Sequence, residues 1–196
     1  HCCIEDVSIM RSIPGITVVS PADSGATIKA TLAAIEHHQS VYIRLTGGSP
    51  NLPVYLDDFD FTIGKANVLR EGKDIAIIAC GTMVHNALEV ADLLNAENLE
   101  PSVIDMHTIK PIDIEIIEKV SKSSKLIVTV EEHSIIGGLG SAVSEYLCTL
   151  NDKPPLLSLG IPDKYGPSGD YVWLLEKNQL LPNQIANSIA KRFYSI

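Results

Sequence analysis

The sequence predicts an α/β protein: a three-layer α/β/α sandwich preceded by an incomplete strand-helix-strand piece of a second α/β domain. Two observations point there. Short apolar runs such as Asp74 to Cys80 (DIAIIAC) alternate with stretches whose apolar residues recur at helical spacing. The runs are continuous, as strands of a parallel sheet buried on both faces must be. A third observation divides the chain: Thr46 to Pro53 (TGGSPNLP) is rich in Gly, Pro, Asn and Ser and reads as a linker between a short first unit and a longer second one. The boundaries expected from this are 1–46, a linker over 47–60, and 61–196.

In the first unit, Ile16 to Ser20 (ITVVS) is β-rich, and Ser20-Pro21-Ala22-Asp23 has the form of a helix start with proline at the first helical position. Ile28, Leu32 and Ile35 then recur as one helical face expected to be buried, and His37-His38-Gln39 ends the helix. Val41 to Leu45 reads as the second strand of a parallel βαβ crossover. One such unit cannot cover its own sheet, so further strands are expected upstream of His1, where the chain opens without Met and without a polar lead-in.

In the second unit, Phe61 to Leu69 reads as an edge strand or hairpin and Asp74 to Cys80 as a central strand. A Gly81-Thr82 turn leads to a helix with Ala87, Val90, Ala91 and Leu94 on its apolar face. Ser102 to Met106 follows as a strand, Asp113 as the cap of a helix carrying Ile116, Ile117 and Val120, and Leu126 to Val130 as a strand. Gly137 to Leu147 reads as a turn and helix, Leu156 to Leu159 as the last strand. Two short helices are expected around Tyr171 to Lys177 and Pro182 to Arg192.

Composition excludes several classes of function. The net charge is −9, and the Lys and Arg residues are scattered singly, which leaves no basic face for nucleic acid. No stretch approaches the roughly 18 apolar residues of a membrane helix, and no signal-peptide pattern opens the chain. The four cysteines, Cys2, Cys3, Cys80 and Cys148, show no CxxC or Cys/His clustering, so no metal site is expected. Cys80 and Cys148 read as buried small hydrophobes, and the compartment expected is a reducing cytoplasm.

Three places carry candidate chemistry. The segment from Glu131 to Ala142 (EEHSIIGGLGSA) reads as a loop between strand and helix, where ligands and partners approach an open α/β sheet. Its GGxG spacing is not the dinucleotide fingerprint, and the consecutive Glu131, Glu132 and His133 point in different directions along an extended chain. A tight turn requiring positive φ is the simpler reading, with Glu131, His133, Gly137, Gly138 and Gly140 forming an interface loop as the alternative. His107 reads as a hydrogen-bonded structural residue. Arg44 interrupts an apolar strand just before a Gly-Gly pair, so it either pairs with an internal carboxylate or serves as an anion receptor suited to phosphate.

Taken together, these blocks resemble the transketolase family. HCCIEDVSIMRSIPGITVVSPAD is similar to the end of that family's pyrimidine-binding domain. IGKANVLREGKDIAIIACGTMV, IDMHTIKPID, EEHSIIGGLGSAVSE and GIPDKYGPSGDYVWLLEKN are similar, in order, to its C-terminal domain. The form most closely resembled is the C-terminal section of a transketolase split into two chains. 1-Deoxyxylulose-5-phosphate synthase, the β-subunits of pyruvate-type dehydrogenases, and a noncatalytic assembly module are the alternatives.

The resemblance implies transfer of a two-carbon ketol unit between sugar phosphates, with thiamine diphosphate and Mg2+ in the complete enzyme. His1 matches the histidine that hydrogen-bonds the ketose donor beside the cofactor, and Arg44 the arginine that holds the sugar phosphate. No GDG-type cofactor motif is present, so no cofactor-binding residue is expected here, and the chain alone is expected to be inactive. The implied partners are an N-terminal portion carrying the diphosphate-binding domain, and a second copy in a homo-dimer. Cys2 stands where the family often has His or Gln, and Gln179 where a helix-stop glycine is usual.

Overall fold

The structure, a computed structural model, describes residues 3–47 and 52–196; His1 therefore lies outside the described residues, as does part of the linker. The first elements are α1 (Asp6–Ser12), β1 (Ile16–Val19), α2 (Ser24–Glu36) and β2 (Ser40–Ile43). β1 and β2 pair in parallel with Val18 opposite Tyr42, so the crossover read from the sequence is present.

A strand from the second unit joins it. β6 (Thr108–Lys110) pairs antiparallel with β1, giving a three-stranded sheet of order β2-β1-β6. Ser20 N–H donates to the His107 carbonyl at 2.8 Å, and Gly81 N–H to the Ser20 carbonyl at 3.0 Å, so the two units are stitched through their backbones. The sequence alone assigns no element between the strand ending at Met106 and the Asp113 cap, because three residues are too few to show a strand period.

The second sheet has five strands. β3 (Asn67–Arg70) is an antiparallel edge on β5 (Pro101–Asp105). β4 (Ile75–Ala79), β7 (Leu126–Ser134) and β8 (Leu156–Ile161) complete the order β3-β5-β4-β7-β8, with β5, β4, β7 and β8 parallel. Alternation along β4 decides which helices cover which face. Ile75, Ile77 and Ala79 pack with α3 (Met83–Ala96), α6 (Tyr171–Lys177) and α7 (Pro182–Phe193), whereas Ala76, Ile78 and Cys80 pack with α4 (Ile114–Ser123) and α5 (Leu139–Leu147). This is the sandwich read from the sequence.

Caps define the helices locally. Asp113 accepts from the N–H groups of Glu115 and Ile116 at the start of α4, as its position before an apolar helix required. At α2 the cap is Asp23, whose Oδ1 accepts from Ala26 N–H at 2.8 Å, so Pro21 stays outside the helix and not at its first position.

Three expectations are corrected. Ile28, Leu32 and Ile35 are 62%, 59% and 75% exposed, and α2 buries Ala26 and Ala30 instead, so the face turned to the fold is the alanine face. Cys148 is exposed at the C-cap of α5, one residue beyond the helix's buried stripe, while Cys80 is buried as read. The strand ending in the EEHS block runs to Ser134, so Glu131, Glu132 and His133 lie on β7 and not in a loop.

Candidate functional site

Arg44 lies directly after β2, at the carboxyl end of the parallel pair. Its N–H donates to the Val19 carbonyl at 2.8 Å and carries the ladder one residue further. Of the two readings open for this residue, the structure displays the internal pair: Arg44 Nε donates to Asp6 Oδ2 at 3.0 Å and Oδ1 at 3.2 Å, with both side chains only 13% exposed. Its Nη2 donates to the Glu132 carbonyl at 3.0 Å and to the Cys3 carbonyl at 3.4 Å. Burial alone would lower the guanidinium's pKa, but Asp6 and Glu132 outweigh it and hold the pKa above its ordinary value. Tyr42 donates to Asp6 Oδ2 at 2.9 Å, and burial together with that carboxylate pushes its phenol up to about 12.

The end of β7 forms the wall behind Arg44. Glu131 is buried, its Oε2 accepting from Leu139 N–H at 2.7 Å and its Oε1 from Gly140 N–H at 2.8 Å, at the start of α5. Burial raises its pKa to about 7 against those two donors. His133, two residues on and on the same side of the strand, is also buried. Its Nδ1 lies 2.7 Å from the Ser134 carbonyl, which can only accept, so Nδ1 carries the proton and Nε2 is the acceptor for Ser8 N–H at 3.4 Å. Burial holds this imidazole below its usual pKa. Glu132 points the other way, and its carboxylate accepts from Thr82 Oγ1 at 2.7 Å and Tyr171 Oη at 2.8 Å.

The glycines of the EEHS block have separate reasons. Gly137 has φ +75 and leaves no room for a Cβ beside Ser8 of α1, while a Cβ on Gly138 would strike the Glu131 carboxylate. Gly140 lets α5 sit close on Ser158 and Thr129. Within the chain this turn receives α1: Arg11 Nη1 donates to the Gly137 carbonyl at 2.7 Å and Nη2 pairs with Glu145 at 2.8 Å. The turn reading of Gly137 was legible. The contact with α1 was not, since nothing in DVSIMRS marks Asp6, Ser8 or Arg11 as partners of residues more than thirty positions away.

His107 is buried, with Nδ1 3.0 Å from Thr108 Oγ1 and its ring stacked on Phe61, in keeping with a structural role. Segment 52–60 is held at several points. Asp23 Oδ2 accepts from the N–H groups of Val54 and Tyr55, and Tyr55 Oη donates to the buried Asp105 at 2.7 Å. Among the described residues no group of three or more His, Cys, Asp or Glu converges on a point that could hold a metal ion, and no helix is long and apolar enough to cross a membrane.

Residues 64–185 match the family described as "Transketolase, C-terminal domain". The chain belongs to the transketolase C-terminal domain family. That family is in general thiamine-diphosphate-dependent. The chain is 40% identical over 188 residues to the 6-deoxy-6-sulfo-D-fructose transketolase subunit of Clostridium sp. (strain MSTE9), covering 96% of this chain and 58% of that one. It is 37% identical over 191 residues to 1-deoxy-D-xylulose-5-phosphate synthase of Chlorobium luteolum, covering 96% of this chain and 30% of that one. Among solved structures, a split-gene transketolase described as an inactive β4 tetramer superposes with a TM-score of 0.89 at 38% identity, covering 99% of this chain and 62% of that one. The chain thus spans between about a third and three fifths of the length of these transketolase-family relatives.

Proposed function

We propose that the chain is the C-terminal portion of a split transketolase, which moves a two-carbon ketol unit from a ketose phosphate to an aldose phosphate in the manner of the pentose phosphate pathway. The observation that carries this is Arg44, a guanidinium at the carboxyl end of a parallel strand, where ligands approach open α/β sheets. Asp6 and the Glu132 carbonyl hold it in one orientation, so little side-chain entropy is left to lose when an oxyanion binds. In this reading Arg44 holds the sugar phosphate and His1 donates a hydrogen bond to the ketose oxygen, stabilising alkoxide charge as it develops.

The carbanion chemistry belongs to the thiamine diphosphate, with Mg2+, of the complete enzyme. Among the described residues no group of three or more His, Cys, Asp or Glu converges to hold a metal ion, and in this reading the cofactor is carried by the N-terminal portion. The proposed partner is an N-terminal portion bearing the diphosphate-binding domain, in a cytoplasmic assembly that also pairs two copies of this chain. Residues 1–46 then form the end of the pyrimidine-binding domain, 47–60 the linker, and 61–196 the C-terminal domain.

A second reading, 1-deoxyxylulose-5-phosphate synthesis, is favoured by the 37% identity to such a synthase over nearly the whole chain. Offering the reconstituted enzyme either a ketose phosphate or pyruvate as donor separates the two, and turnover of pyruvate alone would overturn the first. Replacing Arg44 by Ala is expected to weaken phosphorylated acceptors by about 1.5–3 kcal/mol and to leave unphosphorylated ones unchanged. An unaltered preference would leave Arg44 as a structural ion pair only.

A further inference from the structure

β7 is longer than the strands it neighbours. It runs nine residues, against five for β4, and its pairing with β8 shifts register between Val130 and Ser134. The extra residues place a carboxylate and an imidazole, Glu131 and His133, 1% and 2% exposed, where apolar side chains would cost less. Each is satisfied by a contact that fixes another element: Glu131 holds the start of α5, and His133 holds α1 through Ser8.

The same stretch reaches Arg44 by two routes. Directly, the Glu132 carbonyl accepts from Arg44 Nη2 at 3.0 Å, and the Glu132 side chain is itself pinned by Thr82 and Tyr171. Indirectly, His133 Nε2 accepts from Ser8 N–H, and Ser134 N–H donates to the Ile4 carbonyl at 2.8 Å. These contacts bracket Asp6, the carboxylate on the Nε edge of Arg44. The guanidinium is thus clamped between a backbone carbonyl and a carboxylate that β7 sets in place.

We propose that the β7 extension, with His133 as its principal side chain, is the positioning element for the Arg44 guanidinium, so that the C-terminal domain sets the affinity of the site for phosphorylated sugars. The inference rests on the reading of Arg44 as the phosphate receptor. His133 is a positioning residue: it acts on the sugar only through α1, Asp6 and Arg44.

The test uses the complete enzyme, reconstituted with its N-terminal portion, thiamine diphosphate and Mg2+, and compares KM for a phosphorylated and an unphosphorylated aldose acceptor. His133→Leu removes both polar atoms of the ring and is expected to raise KM for the phosphorylated acceptor about tenfold, with kcat and the unphosphorylated KM unchanged. His133→Gln, which can still accept from Ser8, is expected to return most of that loss. Equal changes for the two acceptors, or none, would overturn the inference.

Arg44→Ala in the same assay separates the layers. If it abolishes the phosphate preference while His133→Leu leaves it intact, the clamp is wrong and the receptor stands. If it leaves the preference intact, the receptor reading falls, and the clamp with it. Tyr171→Phe keeps the ring, removes one of the two hydroxyls on Glu132, and carries the test should His133→Leu not fold. A ratio of KM values equal to wild type in that variant would again overturn the proposal.

Discussion

Asp6 on α1 and Arg44 after β2 lie 3.0 Å apart with both side chains nearly buried, and each has a further anchor, Tyr42 for Asp6 and the Glu132 carbonyl for Arg44. An ion pair this enclosed is costly to break by removing one member, because the survivor keeps its desolvation penalty. Asp6→Ala is therefore expected to lower the stability of the chain by about 2–4 kcal/mol, read from urea unfolding midpoints. A change under about 0.5 kcal/mol would mean that Arg44 finds water or another acceptor once Asp6 is gone.

Gln179 has φ +61, a left-handed conformation that costs a residue with a Cβ about 1 kcal/mol or more. It ends α6, with its N–H on the Glu176 carbonyl and Leu180 N–H on the Leu175 carbonyl at 2.8 Å. Gln179→Gly is expected to raise stability by about 0.5–1 kcal/mol, the strain relieved outweighing the entropy of glycine and the lost contact from Gln179 Nε2 to Glu176. A lowered melting temperature would show that the side-chain contact matters more than the backbone.

Asp105 is fully buried, and its pKa is raised to about 7, first by burial, with the Tyr55 hydroxyl lowering it in part and the nearby Asp23 carboxylate raising it further. The unfolded chain ionises this carboxyl near pH 4, so between about pH 4 and 7 the folded state holds a proton that the unfolded state has lost. Its contribution to stability is full below pH 4 and falls as pH rises to 7. Asp105→Asn, which can still accept from Tyr55, is expected to gain on wild type across that window. The difference between the two proteins isolates Asp105 from His107, whose pKa burial pushes down to about 4 and whose contribution runs the opposite way. Parallel stability curves from pH 5 to 8 would refute the assignment.

Asp23 holds three N–H groups, those of Ala26, Val54 and Tyr55. Asp23→Ala is expected to cost about 2 kcal/mol or more, combining a lost helix cap with lost charged hydrogen bonds. It should also speed proteolytic cleavage between residues 52 and 60, where the described chain has neither helix nor strand to protect it. Unchanged cleavage would show that the stack of Tyr55 on Phe59 holds the segment unaided.

The exposed stripe of α2 makes the opposite prediction. Ile35→Ser, at a residue 75% exposed, should leave the stability of the isolated chain within about 0.5 kcal/mol. Ala30→Leu, at a residue 1% exposed, should cost about 1–3 kcal/mol by overpacking. Chemical denaturation of the two variants checks both, and the reverse order would restore the stripe as the buried face.

From the sequence alone came the alternation of elements and the parallel sheet, because strand runs such as Ile75 to Ala79 and caps such as Asp113 act over a few neighbouring residues. The stripe Ile28, Leu32, Ile35 misled for a physical reason: periodicity reports that a helix has an apolar face, but not whether the chain supplies the surface that covers it. Arg44 stood out as an exception in an apolar run, yet its two readings were indistinguishable without knowing what lay opposite. Only the tertiary structure shows what lies opposite, bringing Asp6, Glu132 and His133 to one place from positions up to 127 residues apart, a proximity set by chain topology and not by local pattern.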